Sequence, residues 1–261
     1  MRNGNAVRLF CSDLDGTLLG VPEATAAFRE AWNSLERDRP VLVYSSGRLL
    51  QDARLQVNRA GLPEADYYIA GVGTTIFDVA RGVSNSEFSA LLEENWDLAA
   101  IEAVVSGFPD MVRQPPEQQH PWKSSWFWHD RQPADLDALR EAISAAGLHA
   151  QAIYSSARDL DLLPPAANKG NALAWLCQHL GISLNAVVVA GDTGNDVSMF
   201  ELPGARGIAV ANAEPELLEA IAGSSLHFRP HGNCADGVIA GLRRFGVFPD
   251  GTHRTPTPTH S

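Results

Sequence analysis

Three short apolar runs that stop at polar clusters constrain this chain most. "VRLFCS" (7–12) ends at Asp13 and Asp15, "VLVYSS" (41–46) at Ser46-Gly47-Arg48, and "AVVVAGD" (186–192) at Gly191-Asp192. The runs are continuously apolar rather than alternating, the pattern of strands buried on both faces of a parallel sheet. Helical patterns lie between them. Ala24, Ala27, Phe28, Ala31, Trp32 and Leu35 recur at helical spacing in "EATAAFREAWNSLERD". "GRLLQDARLQVNRAG" predicts a second helix ending at Gly61, followed by a third strand at "YYIAG". Further on, "NKGNALAWLCQHLG" turns Leu173, Leu176, Cys177 and Leu180 inward, "GARGIAVAN" predicts a strand and "EPELLEAIAG" a helix. Strands alternating with helices give an α/β fold with a parallel sheet covered on both faces. Ligands bind such sheets beyond the carboxyl ends of the strands, so the three polar clusters are expected to converge.

The middle of the chain follows another pattern. "GTTIFDVARGVSNSEF" predicts a hairpin, and a helix follows near 90–106. "WKSSWFWH" alternates as a strand, with Lys123, Ser125, Phe127 and His129 on one face and Trp122, Ser124, Trp126 and Trp128 on the other. "PADLDALREAISAAGL" places Leu136, Leu139, Ile143 and Ala146 on one helical face, and "AQAIYSS" and "RDLDLLP" predict two more strands. Residues 83–160 therefore form an α+β insert with an antiparallel sheet, between core segments 1–82 and 161–247. The remainder, 248–261, contains the Pro/Thr-rich stretch "DGTHRTPTPTHS" and is expected to be disordered.

Composition excludes several classes. A formal charge of −11 opposes a nucleic-acid partner. No run approaches the roughly 20 apolar residues of a membrane span, and "MRNGNA" lacks a signal-peptide core. Cys11, Cys177 and Cys234 form no metal or redox pair, which fits reduced thiols in a cytoplasmic protein. The eight histidines show no ligand spacing. An acidic protein that handles phosphate must concentrate positive charge locally, from a metal or a few placed cations.

The polar clusters supply what a phosphate monoester hydrolase needs: a nucleophile, a proton donor and positive charge around the phosphoryl group. Asp13, Asp15, Asp192 and Asp196 offer oxygens to Mg²⁺, which takes one or two carboxylates with waters and phosphate. Lys169 offers fixed charge, and Ser46 with the Gly47 N–H offers phosphate ligands. Each motif alone has an ordinary structural reading, as a turn, a cap or a solvated lysine. Together, "DLDGT", "SSGR", "NKG" and "GDTGND", in this order and each beside a strand or helix start, resemble the four motifs of the haloacid-dehalogenase-like (HAD) phosphatases. The large insert between the second and third motifs resembles a C2B cap (subclass HAD-IIB). "DLDLLPPAANKGNALAWL" and "WKSSWF" are most similar to the sucrose-phosphatase branch, with Ser46 standing where Thr is more usual.

That resemblance implies a Rossmann-like core and an Mg²⁺-dependent phosphomonoesterase. It implies Asp13 as nucleophile, kept ionised, and Asp15 as proton shuttle, carrying a proton, with its carbonyl on the metal. It implies Asp192 as a direct metal ligand, Asp196 and Asn195 completing the metal and phosphate surroundings, and Ser46, Gly47 and Lys169 binding phosphate. In the cap, Lys123, Ser125 and Asp161 are candidate substrate contacts, while the tryptophans read better as packing than as sugar platforms. Arg48 either reaches substrate or fixes the second helix by an ion pair. The expected substrate is a sugar phosphate, such as the disaccharide phosphate sucrose 6-phosphate. A broad Cof-like phosphatase of small metabolites is the alternative. A non-catalytic sugar-phosphate sensor is disfavoured because every catalytic position is present. Phosphoglucomutase-like transfer is disfavoured because only the short stretch 16–45 separates the first two motifs.

Overall fold

The computed structural model describes residues 6–35 and 39–249. In chain order its elements are β1 (Leu9–Ser12), α1 (Pro22–Asn33), β2 (Val41–Ser45), α2 (Leu50–Arg59), β3 (Tyr67–Ala70), β4 (Thr75–Asp78), β5 (Val83–Ser84) and α3 (Ser86–Leu92). Then come α4 (Leu98–Val105), β6 (Val112–Arg113), β7 (Ser124–Phe127), α5 (Pro133–Ala145), β8 (Gln151–Ser155) and β9 (Asp159–Leu163). The chain closes with α6 (Lys169–Leu180), β10 (Val187–Gly191), α7 (Val197–Phe200), β11 (Arg206–Ala209), α8 (Pro215–Ala220), β12 (His227–Phe228) and α9 (Cys234–Arg244).

Eight strands form one sheet in the order β12-β11-β10-β1-β2-β3-β4-β5. The pairings from β12 to β3 are parallel, and β4 and β5 are added antiparallel. Strand alternation sorts the side chains into two layers. Leu9, Cys11, Val43, Val187 and Val189 pack with Leu173 and Leu176 of α6 on one face. Phe10, Leu42, Tyr44, Val188 and Ala190 pack with α1, α2 and α9 on the other. β1 is central, with β2 on one side and β10 on the other. The order reverses there, so the ends of these three strands open a crevice. The predicted α/β core with its convergent clusters is thus borne out.

A second sheet, β6-β7-β9-β8, is antiparallel. Trp126, Trp128, Leu160 and Leu162 pack against Ile101 and Val105 of α4 and Leu139 and Ile143 of α5. Trp126 and Trp128 are packing residues, as expected, whereas Trp122 leans on the core cluster.

Several boundaries differ from the sequence reading. The single helix expected at 90–106 is two helices. Asn95 takes a left-handed φ of 61°, and Asp97 accepts from the Ala100 N–H to cap a new helix. The break separates Phe88 and Leu92, which pack in the core, from Ile101 and Val105, which pack in the cap. The expected insert, 83–160, is offset at both ends, because Val83–Ser84 belong to the eight-stranded sheet and Asp161–Leu163 to the four-stranded one. Ala27 and Ala146 are exposed rather than inward. Phe248, assigned to the tail, is buried against Phe28 and Trp32. The Pro/Thr-rich stretch 250–261 and the end of the first predicted helix lie outside the described residues.

Candidate active site

Asp13 leaves the end of β1, and its N–H donates to the Ala190 carbonyl at 2.9 Å, tying it to β10. Behind it, Lys169 at the start of α6 is fully buried and donates to Asp13 Oδ1 and Asp196 Oδ1, both at 2.6 Å. Burial alone would lower the lysine, but Asp13 and Asp196 outweigh it and hold the ammonium well above its usual range. Burial pushes the Asp13 carboxyl up; Asp196 and Asp192 add to the rise, and Lys169 opposes it. Burial thus works against an ionised Asp13, and the Lys169 ammonium at 2.6 Å works for it.

Asp192 follows β10. Burial first, then Asp196, pushes it up to about 7, against a hydrogen bond from Thr17 Oγ1 at 2.8 Å. The turn after the first motif is built for this approach. Gly16 has φ +77°, and a Cβ there would lie 2.0 Å from Asp192 Oδ2. Oxygens of Asp13, Asp192 and Asp196 come within 4.8 Å of one another. Three buried carboxylates share one lysine, an excess of negative charge with hard oxygen donors that fits a divalent cation. Within the set the roles differ. Asp196 is fully buried, with Oδ1 on Lys169 and Oδ2 accepting the N–H groups of Asp192 and Thr193. Its oxygens shape the loop, whereas Asp13 Oδ2 accepts no hydrogen bond among the described residues.

Asp15 stands apart from that cluster. Its half-exposed carboxylate is gripped by Arg48, Nε to Oδ2 at 2.6 Å and Nη2 to Oδ1 at 2.7 Å. Arg48 Nη1 also donates to Asp52 Oδ2 at 2.5 Å. Arg48 thus fixes the start of α2, as one sequence reading held, and also controls the second acid. Asp15 is ion-paired here through both of its carboxylate oxygens. Ser46 is buried, its hydroxyl accepting the Arg48 N–H at 3.1 Å. Asn195 lies beside Gly47, with its Oδ1 buried and unpartnered among the described residues.

A cleft of about 510 Å³ joins these residues to the cap sheet. Asp13, Asp15, Gly47, Arg48 and Asn195 line it from the core, and Lys123 and Asp161 from the cap. Lys123 is nearly fully buried, with Nζ 2.7 Å from Ser125 Oγ and 2.8 Å from Asp161 Oδ1. Register explains the group: Ser125 pairs directly with Asp161 across β7 and β9. Ser125 itself is fully buried with its hydroxyl on Asp161 and Gln118, so it braces the pair that faces the cleft.

The family model for sucrose-6F-phosphate phosphohydrolase matches residues 6–246. This chain belongs to that family, within the haloacid-dehalogenase superfamily. It is similar to a mannosylfructose-phosphate phosphatase of Agrobacterium fabrum, 44% identical over 93% of this chain and 98% of that one. It is 31% identical to sucrose-phosphatase 1 of Nicotiana tabacum over 97% of its length, and spans 63% of that longer protein. Among solved structures it resembles the Synechocystis sucrose-phosphatase determined with sucrose and phosphate, with a TM-score of 0.86 and 34% identity over 94% of this chain and all of that one. The phosphatase thus has its expected motif residues in one cleft or directly behind it. Sequence reasoning missed Thr17, although it lies inside the first motif. It also missed Asp52, whose i+4 spacing from Arg48 was the available signal. Phe127, the last residue of the "WKSSWF" stretch, also lines the cleft, as do Gln114 and Arg158, which no motif marked. Among the described residues no helix is long and apolar enough to cross a membrane.

Proposed function

We propose that this phosphatase hydrolyses the phosphate ester of a fructose-containing disaccharide in a Mg²⁺-dependent reaction, with mannosylfructose phosphate ahead of sucrose 6-phosphate. The carrying observation is that Asp13 and the Lys123–Asp161 pair line one cleft. The similarity to the Agrobacterium enzyme over nearly the whole of both chains supports the order of substrates. Asp13 and Asp192 would hold the cation with the Asp15 carbonyl, and Asp196 would act from behind. When bound, Mg²⁺ offsets the repulsion between carboxylate and phosphate and draws charge from the phosphoryl oxygens.

In this reading Lys169 holds Asp13 Oδ1 and leaves Oδ2 to attack phosphorus. The P–O bond to the sugar breaks as an aspartyl-phosphate forms, and Asp15 gives its proton to the departing sugar oxygen. Water then attacks phosphorus, Asp15 takes the water's proton, and phosphate leaves Asp13 as a carboxylate. Arg48 must release Asp15 for the shuttle to be protonated. The Ser46 hydroxyl, the Gly47 N–H, Lys169 and Asn195 would hold the phosphoryl oxygens. Lys123 and Asp161 would bind the sugar, with Ser125 bracing them.

Phosphate release from mannosylfructose phosphate, sucrose 6-phosphate, hexose phosphates and pyridoxal phosphate, with Mg²⁺ and with EDTA, tests the reading. Mg²⁺-dependent preference for a disaccharide phosphate is expected. Equal, weak turnover of all monoesters would contradict the substrate, and turnover unaffected by EDTA would contradict the metal.

A further inference from the structure

The loop after β11, residues 210–214, touches both segments that bring carboxylates to the cation cluster. Its Val210 N–H donates to the Gly191 carbonyl at 3.4 Å and its Glu214 N–H to the Asp192 carbonyl at 2.7 Å, which seats the loop on the end of β10. The Ala211 N–H donates to the Gly232 carbonyl at 3.0 Å, which ties it to the segment before α9. Asn212 stands at the tip. Its Nδ2 donates to the Gly16 carbonyl at 2.9 Å, and its Oδ1 accepts the Cys234 N–H at 2.8 Å. These partners lie 196 residues before it and 22 residues after it in the chain. An asparagine that only shapes a turn bonds its own neighbours. Asn212 joins three separate segments instead.

Both partners are constrained backbone. Cys234, the first residue of α9, takes a left-handed φ of 46°, and its N–H is one of the first-turn donors that a helix cannot satisfy itself. Asn212 Oδ1 satisfies it, and the planar amide then has its Nδ2 turned to Gly16. Gly16 directly follows Asp15, and Asp192 Oδ2 occupies the space that a Cβ at Gly16 would need. The turn after β1 is therefore held from two sides, by Asp192 against the Gly16 Cα and by Asn212 on the Gly16 carbonyl. The Asp15–Gly16 peptide cannot rotate without breaking one of these contacts. Asn212 is exposed, so packing does not account for it. We propose that Asn212 is a positioning residue for the divalent cation: by holding the Gly16 carbonyl it fixes the Asp15 carbonyl relative to Asp13 and Asp192. This rests on the Mg²⁺-dependent reading and adds a residue outside the four motifs. The loop 210–214 serves as the common bracket that sets the turn after β1 against the turn after β10.

The test is Mg²⁺ binding to the full chain by calorimetry, with metal-free thermal melts beside it. Asn212→Ala removes the clamp and should raise the Mg²⁺ dissociation constant about fivefold, the worth of one ordinary hydrogen bond. Its deficit in p-nitrophenyl phosphate turnover should be largest at low Mg²⁺ and shrink as Mg²⁺ rises. Asn212→Asp keeps the size of the side chain and an acceptor for Cys234, and lacks only the donor to Gly16. Its added negative charge would by itself tighten Mg²⁺, so weaker binding in this variant isolates the lost clamp. Weaker Mg²⁺ binding in both variants is the expected result. Undiminished Mg²⁺ affinity in either one would overturn the assignment, and a lower metal-free melting temperature with unchanged affinity would make Asn212 a cap of α9 alone. Wild-type protein that binds no Mg²⁺ would overturn the cation reading itself.

Discussion

Two buried lysines define the two halves of this molecule. Lys169 is held by Asp13 and Asp196, which come from the ends of different strands, and nothing of it reaches solvent. Lys123 is held by Asp161 and Ser125, which face each other across a single ladder, and it lines the cleft. Lys169 holds two of the three carboxylates that lie close enough to share a cation. Lys123 keeps one carboxylate aimed at whatever enters. The difference assigns charge handling to the core and recognition to the cap, and it can be broken by experiment.

The largest effect is expected at Asp13. Asp13→Asn keeps an acceptor for Lys169, so the protein should fold, yet turnover of every ester should fall by about 10⁴-fold or more. Retained turnover would remove the core from the chemistry. Asp15→Asn should cost about 10²- to 10⁴-fold, least for p-nitrophenyl phosphate, whose leaving group needs little protonation. Equal loss on p-nitrophenyl and sugar esters would argue against a proton shuttle. Lys169→Met leaves buried carboxylates uncompensated and should cost about 3–5 kcal/mol of stability, partly recovered with Mg²⁺ in thermal melts. Lys123→Met should instead lower kcat/KM about tenfold for the sugar ester alone.

The smallest effect concerns pH. The folded Asp192 carboxyl sits at about 7, above its usual range near 4, so the metal-free fold binds a proton that the unfolded chain releases. Its contribution to stability is full below the unfolded value and is lost as pH rises through about 7. Metal-free melts should therefore weaken from pH 5 to about 8, while Mg²⁺ affinity rises over the same window with proton release. A pH-independent Mg²⁺ affinity would show that Asp192 is not the titrating ligand.

The core was legible because Asp13, Asp15, Ser46, Asp192 and Asp196 each follow a strand whose apolar run is unambiguous, and Lys169 opens a strongly periodic helix. The cap was legible where alternation fixes a face, as for Lys123 and Ser125. Tertiary packing hid the rest. Helix α9 went unread because Gly237 and Gly241 depress helix propensity, yet a Cβ at Gly241 would lie 2.5 Å from Ile208 Cδ1. Close packing on β11, not local preference, selects that helix. The break at 93–97 follows from two helices packing in different cores. Gln114 and Arg158 reach the cleft through pairings that no local pattern encodes.

The most direct test of the division of labour is kcat/KM for a disaccharide phosphate and for p-nitrophenyl phosphate, measured side by side in wild type, Asp13→Asn and Lys123→Met. The account predicts that Asp13→Asn abolishes both activities and that Lys123→Met lowers only the sugar ester. Loss of both activities in Lys123→Met with the fold intact, or a selective loss in Asp13→Asn, would contradict it.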